Sequence, residues 1–517
     1  MNQTAECAAR GKDSAARLAR HLAAVLLCSE RTTITNIICT AGGQHVDWTA
    51  DYRLYSKSRI ESADLFDPVI QAVESRLPED QPLVVAVDDT LVRKTGPHID
   101  GVAWRRDPLG PAFQTNLVRG QRYLQFSAAW PLECPPQAQS DLGEQESGEG
   151  STPSPAPSAQ VPASSPEKPP PHDRTPSPSQ ARPARLLPVA FSHTPGAPKL
   201  PSKSQDDAAA VAFNKAERKR LSLTAQMLAR LGELRQKVPA GRLIVLVGDG
   251  SFTNAALLKG LPESVSYIGR LRRDAVLHYP PPAREPGAIG RKPTYGAMAP
   301  TPEALRQDEN VPWQNLEGFA AGRVHKFKIK VLENVVWRKG GPDCLVRVMV
   351  IAPLGYRLRA GGKLLYRQPA FLLCTDHQMS LQDVLQNYLW RWGIEVNHRE
   401  EKCLIGTGEA QVRGKAANKH QPAMTVASYS LLWTAALQLA EESGPLSLLH
   451  APKWRQKNPA AGNRQPSTGD LLRLLRSEYW ETVLRPSHFR HFAAGEPAVT
   501  NMEKCPPDLP ASLLAAA

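Results

Sequence analysis

The chain has 517 residues, 41% of them hydrophobic, with 63 lysines and arginines against 50 acidic residues and a formal net charge of +13. That length supports two or three domains, while 47 prolines indicate that part of the chain lies outside any packed core. The eight cysteines form no CxxC pair, and no HExxH or Cys/His cluster occurs, so nothing in the sequence points to a structural zinc site.

The positive balance suits a polyanionic partner, because each neutralised phosphate releases condensed counterions, although charge alone leaves that partner open. The first residues lack the apolar run of a signal peptide, and Leu22–Leu27 is too short to span a bilayer. The expectation is a cytoplasmic protein without a membrane partner.

In chain order, Ala15 to Leu77 is expected to be helical: Leu18, Leu22, Val25 and Leu26 recur at helical spacing, and the threonines at 32, 33 and 35 offer a cap for a second helix. Between Trp48 and Arg59 aromatic and basic residues interleave. Two readings stand there: bases placed to meet DNA phosphates, or a helical bundle with half-buried tyrosines.

Pro82–Thr90 is an apolar run ending in Asp88-Asp89-Thr90, as expected of a strand buried on both faces. Gln121–Pro131 reads as a second strand and Arg185–Ser192 as another. Between them, residues 133–184 are rich in proline and serine and poor in apolar side chains, the composition of a disordered insert.

Asn214–Val238 reads as one charged helix, Arg242–Asp249 as a buried strand ending in an acid, and Val265–Arg270 as a strand leading to Arg272 and Arg273. From Ala304 to Asp376 the hydropathy alternates with period two, indicating antiparallel strands. Helices are expected from Leu381 to Glu441 and from Ser467 to Leu484.

Asp88 and Asp249 each close an apolar strand, the position where open α/β sheets gather catalytic groups. Capping of the following turn is an equally weighted alternative. A third acid follows on a helix. Tyr388, Arg391, Glu395 and Lys402 fall within an arc of about 60° at roughly 100° per residue, beside an apolar stripe of Leu381, Leu385, Leu389, Trp392 and Val396. A solvated face with Arg391 paired to Glu395 is the plainer reading. Gly406-Thr-Gly408 is too short for a nucleotide-binding fingerprint, and Ala360–Lys363 lacks the rest of a phosphate loop.

The gaps in Tyr388-(2)-Arg391-(3)-Glu395-(6)-Lys402 match the YREK signature, and the chain resembles the cut-and-paste insertion-sequence transposases with DDE chemistry. Asp88-Asp89-Thr90 resembles the family's first acid, which occurs as Asp-x-Thr, and Gly248-Asp249-Gly250-Ser251-Phe252 resembles the second. Asp88 satisfies the first pattern, with Asp89 as its competitor. The resemblance covers roughly residues 15 to 480 apart from the proline-rich stretch.

The resemblance implies an α/β fold: an RNase H-like mixed-sheet core with a β-rich insertion and an N-terminal helical domain. The corresponding boundaries are an N-terminal DNA-binding domain at 1–80, the core at 81–303 and 377–445, the β-rich insertion at 304–376, and a C-terminal helical region and tail at 446–517.

It further implies that Asp88, Asp249 and Glu395 hold two Mg²⁺ ions, with Mn²⁺ able to substitute. Tyr388, Arg391, Lys402, Arg272 and Arg273 would contact DNA. An aromatic side chain that stacks on a flipped base would be Trp313 or Trp337, against the plainer reading of each as a core tryptophan.

The implied partners are the terminal inverted repeats of a transposon, target DNA, and a second copy of the chain on DNA. Two alternatives accompany this reading: a nuclease of the same fold without strand transfer, and an inactive DNA-binding derivative.

Overall fold

The computed structural model describes residues 1–96, 98–107, 116–133, 181–197, 207–282, 293–357, 362–446 and 466–483. Most of the proline-rich stretch and the C-terminal tail therefore lie outside the described residues.

The chain begins with five helices, α1 (Asn2–Ala8), α2 (Lys12–Leu27), α3 (Ile34–Thr40), α4 (Thr49–Ser56) and α5 (Asp67–Arg76). In α2 the expected stripe is the buried one, with Leu18, Leu22, Val25 and Leu26 all inside. The threonine cap expected for the second helix is Thr33, whose side chain accepts from the Asn36 amide at 3.2 Å and opens α3.

The aromatic-basic stretch divides between the two readings. Tyr55 is buried with its hydroxyl 2.7 Å from His21 Nδ1, whereas Trp48 and Tyr52 are exposed.

A mixed sheet follows: β1 (Leu83–Arg93), β2 (Ala103–Arg106), β3 (Leu117–Pro131) and β4 (Ala184–His193), then helices α6 (Ala208–Arg220) and α7 (Leu223–Lys237), strand β5 (Ile244–Gly248), helix α8 (Ala255–Gly260) and strand β6 (Val265–Arg270). The single charged helix expected from Asn214 is in fact two, because the Ser222 hydroxyl caps a fresh start by accepting from the Ala225 amide. β1 also runs five residues past Asp88 instead of ending there.

The strands lie in the order β4–β3–β1–β5–β6. The pairs β4–β3 and β3–β1 are antiparallel, and β1–β5 and β5–β6 are parallel. This is the RNase H-like arrangement.

The segment expected to form a β-rich insertion is built into the same sheet. After β7 (Leu277–His278), β8 (Met298–Ala299) and α9 (Pro302–Gln307) come β9 (Gln314–Ala320), β10 (Arg323–Trp337) and β11 (Leu345–Ile351). The hairpin β12 (Gly355–Arg357) and β13 (Leu364–Tyr366) and then β14 (Ala370–Cys374) complete the strands. β14 pairs antiparallel with β6, so the sheet continues from β6 through β14 and β11 to β10, and among the described residues only the β12–β13 hairpin stands apart. The longest strand in this segment, β10, is bent by a register shift between Leu332 and Val335 with Asn334 at φ 53°.

Alternation along β1 assigns its two faces. Val85 and Val87 pack with Val69, Ile70 and Val73 of α5 and with Leu231 and Leu234 of α7. Val84 and Ala86 point the other way, towards helices α10 (Leu381–Trp390) and α11 (Trp392–Cys403), where they meet Val384, Leu385 and Ile394. Each fully buried aliphatic chain contributes about 1.5–3 kcal/mol, so this interface fixes α10 and α11 over the sheet.

Helix α12 (Lys415–Ser443) buries Tyr429 and Trp433 beside β4 and ties the N-terminal helices to the core, its Ser428 hydroxyl donating to Leu22 O at 3.0 Å. It is long and apolar enough to cross a membrane, but 72% of its apolar window is buried within the protein. Helix α13 (Thr468–Val483) is the last described element.

Candidate active site

Strand alternation separates the two neighbouring acids. Asp88 follows Val84 and Ala86 onto the face covered by α10 and α11, and Asp89 follows Val85 and Val87 onto the opposite face. Their surroundings differ in part: Glu395 and Arg391 act electrostatically on Asp88, Arg122 and Arg105 act on Asp89, and Asp249 and His398 act on both. The Asp89 amide donates to Asp88 Oδ1 at 2.8 Å, which orients that carboxylate.

Asp249 comes alongside through the parallel register. Ala86 is opposite Val247, so two residues further on Asp88 and Asp249 share a level on strands spaced about 4.8 Å apart. Immediately beyond β5, Asp249 Oδ1 accepts from the Ser251 amide at 2.8 Å and from its hydroxyl at 2.6 Å. Gly248 makes the turn possible, since a Cβ there would lie 2.8 Å from the Tyr267 hydroxyl.

Glu395 arrives from above, and not on the continuous helix that the arc of four residues assumes. The helix breaks at Arg391, where bonds of the i to i−3 type replace helical ones: Arg391 N to Tyr388 O at 3.2 Å and Ile394 N to Arg391 O at 3.0 Å. Tyr388 therefore belongs to α10, while Glu395 and Lys402 belong to α11. The break lets α11 settle on β4, with Gly393 against Leu186, where a Cβ would come within 2.8 Å of the Leu186 side chain.

Arg391 Nη1 then stands between two acids, 3.6 Å from Asp88 Oδ2 and 3.5 Å from Glu395 Oε1. These legs limit the separation of the two carboxylates to about 7 Å. Lys402 Nζ donates to Thr90 Oγ1 at 2.6 Å, on the Asp88 face of β1.

Burial and the charges of Glu395 and Asp249 push the Asp88 acid up to about 7, against the opposing pull of His398 and Arg391. Burial above all lowers the Lys402 ammonium from its ordinary value.

Comparison with known families bears on this geometry. The profile described as DDE superfamily endonuclease matches residues 8–131 and 175–341, more than half of the chain. The chain belongs to the DDE superfamily endonucleases. No curated protein matches the sequence. The match skips most of the proline-rich stretch and ends before α10, so Glu395 and the YREK spacing lie outside the matched residues.

Within this endonuclease the remaining expected site residues are spread out. Arg272 and Arg273 line a groove of about 740 Å³ that begins at Gly250, next to Asp249, and also contains Arg270 and Arg306. Arg272 is paired with Asp274 at 3.0 Å. Tyr388 is half-buried in the core under α10.

The two stacking candidates are both engaged. Trp337 is 6% exposed in the core, and Trp313 packs against that core with Lys330 Nζ 4.6 Å from its ring centroid. The buried Trp337 ring is not presented to a base. Among the described residues the tryptophans that are presented are Trp48, Trp104 and Trp392, and Trp392 follows Arg391 directly with 66% exposure. The apolar stripe expected to include Trp392 therefore excludes it, because the helix break turns that residue outwards.

Sequence reasoning also missed His398 and Glu401, both buried on α11. Their signal was available, because His398 lies one turn beyond Glu395.

Among the described residues no three His, Cys, Asp or Glu side chains form a ready-made metal cluster. Arg391 occupies the space between Asp88 and Glu395. The donor set itself fits a hard divalent cation, since carboxylate oxygens are the ligands Mg²⁺ prefers. The raised Asp88 acid also marks a position where added positive charge is favourable.

Proposed function

We propose that this endonuclease is a cut-and-paste transposase, which cleaves DNA strands at the ends of a mobile element and joins them to target DNA, with Asp88, Asp249 and Glu395 holding two Mg²⁺ ions. The observation that carries the reading is the convergence at one sheet face: register sets Asp249 beside Asp88, and Arg391 links Asp88 to Glu395 through contacts of 3.6 and 3.5 Å.

The ions, when bound, would stabilise charge on the entering and leaving oxygens of an in-line displacement at phosphorus. The protein supplies the rest. Asp88, 13% exposed at its side chain, is the enclosed member of the set, and Glu395, at 42%, is the one able to swing.

Arg391 has a dual part. Its Nη1 is buried without a hydrogen-bond partner, so a DNA phosphate beside the site offers it the bidentate bonding that the two carboxylates do not. Turning towards phosphate, it would free both carboxylates for cations, which couples DNA binding to assembly of the metal site. Lys402, held on Thr90, and Tyr388 would flank the same strand, and the groove from Gly250 past Arg272 and Arg273 offers a path for the duplex.

No side-chain nucleophile is required, since the attacking oxygen comes from water or a DNA 3′-hydroxyl. Terminal inverted repeats and a dimer on DNA belong to the same reading, because two ends must be brought together.

Replacing Glu395→Gln should abolish cleavage of a DNA end while leaving binding of that end within about twofold. Strand cleavage by the variant at the wild-type rate would sink the assignment. Release of hydrolysed ends without joined product would favour a nuclease without strand transfer.

A further inference from the structure

Helix α11 carries a buried pair that the mechanism above does not use. His398 lies three residues after Glu395, on the same helical face, and is 7% exposed, and Glu401 beside it is 1% exposed. Neither ring nitrogen of His398 has a hydrogen-bond partner although both are enclosed. The nearest acidic oxygen is Glu401 Oε2, 3.6 Å from Nδ1. Glu401 Oε1 accepts from Gln125 Nε2 at 2.9 Å, and Gln125 is opposite Asp88 in the β1–β3 register. The whole group is therefore on the Asp88 side of the sheet.

His398 lies close enough to Asp88 to act on that carboxylate electrostatically. Burying an unbonded polar nitrogen is unfavourable, and a bound ion is one way to satisfy it.

We propose that His398 is a nitrogen ligand of the divalent cation held at Asp88, with Glu401 and Gln125 fixing the orientation of its ring. The inference rests on the metal-dependent reading above and adds a residue to it. Metal-bound histidines present one nitrogen to the ion while the other ring N–H faces a carboxylate. His398, Glu401 and Gln125 form a chain of that kind, one helical turn from Glu395.

The chemical consequence is selectivity. An imidazole among oxygen ligands shifts preference from Mg²⁺ towards Mn²⁺ and Co²⁺. A histidine present only as an ion-pair partner of Glu401 would leave metal preference unchanged.

The test is electron spin-echo spectroscopy of Mn²⁺ bound to the full chain with the DNA that flanks its gene present, so that Arg391 is drawn to phosphate, read for ¹⁴N coupling from imidazole. Wild-type protein should show the coupling. His398→Asn and His398→Gln should lose it, still bind Mn²⁺ about tenfold more weakly, and lose the preference for Mn²⁺ over Mg²⁺ in competition. Bound Mn²⁺ without ¹⁴N coupling in the wild-type protein would overturn the proposal even if neither variant folds, and so would coupling that survives in either variant. Asp88→Asn separates the two layers. If it abolishes Mn²⁺ binding while the wild-type protein shows no ¹⁴N coupling, only the role of His398 fails. If it leaves Mn²⁺ affinity unchanged, the metal site at Asp88 fails with it.

Discussion

At the scale of single residues, the two adjacent aspartates make the sharpest contrast. Asp88 faces α11 and Asp89 faces the arginines of β2 and β3, so exchanging their roles would require β1 to slip by one residue and turn its whole apolar set over. Asp88→Asn should therefore reduce DNA cleavage by at least about 10³-fold, on the order expected for losing a principal transition-state interaction. Asp89→Asn should keep cleavage within about tenfold, as a cleavage time course would show.

Asp88 also sets a pH dependence. Its acid ionises near 3.8 when unfolded and near 7 when folded, so between these values the folded chain holds the extra proton. The stability from that proton is fully present below 3.8 and is lost as pH rises through 7. Without divalent cations, thermal unfolding should show Asp88→Asn gaining stability relative to wild type between pH 5 and pH 8. A difference that does not change with pH would contradict this environment for Asp88.

The same residues show what a sequence can and cannot reveal. The strand around Asp88 and the turn at Asp249 were legible because a continuous apolar run ending in polar residues has few other readings. The choice between Asp88 and Asp89 was not, because pattern fixes alternation only when the register with neighbouring strands is known. Trp337 and Trp313 were ambiguous for a related reason: an aromatic residue in an alternating segment looks the same whether its ring enters the core or leaves it.

At the scale of elements, the break at Arg391 decides the geometry of the site. Periodicity across residues 388–402 was helical throughout, and nothing in it exposed the turn that separates α10 from α11. The consequence is local: Gly393 touches Leu186, and α11 lies closer to β4 than any larger residue would permit. Gly393→Ala should lower stability by about 1–3 kcal/mol through overpacking and should reduce cleavage further by displacing Glu395. The double variant Gly393→Ala, Leu186→Ala should recover cleavage. Equal activity of wild type and Gly393→Ala would mean that the close approach does not position the acid.

Trp392, turned outwards by the same break, is the ring best placed to meet a DNA base. Trp392→Ala should weaken binding to single-stranded ends by the equivalent of about 1–3 kcal/mol, measured by fluorescence anisotropy.

At the scale of the molecule, the fold class was readable because apolar runs, alternating segments and amphipathic helices follow one another in an order that few architectures share. The continuation of the sheet was not. Alternation at residues 304–376 shows that strands exist, but not that β14 pairs with β6, since pairing depends on partners remote in sequence.

The proline-rich stretch poses the opposite case. Its flanks meet, with Pro131 opposite Ala184 and the Leu132 amide donating to Pro183 O at 2.8 Å, and the family match resumes beyond it. Replacing residues 134–180 by a short turn should leave cleavage within about twofold and raise stability by on the order of 1–2 kcal/mol from the shorter loop.

In this protein three acids would act together on DNA. The most direct test of that joint action is an assay of the full chain with a plasmid carrying the DNA that flanks its gene, with and without Mg²⁺, against Asp88→Asn, Asp249→Asn and Glu395→Gln. Excision and joined product should appear only with Mg²⁺ and only from the wild-type protein. Strand cleavage in the presence of a chelator, or full activity in any one of the three variants, would contradict that joint action.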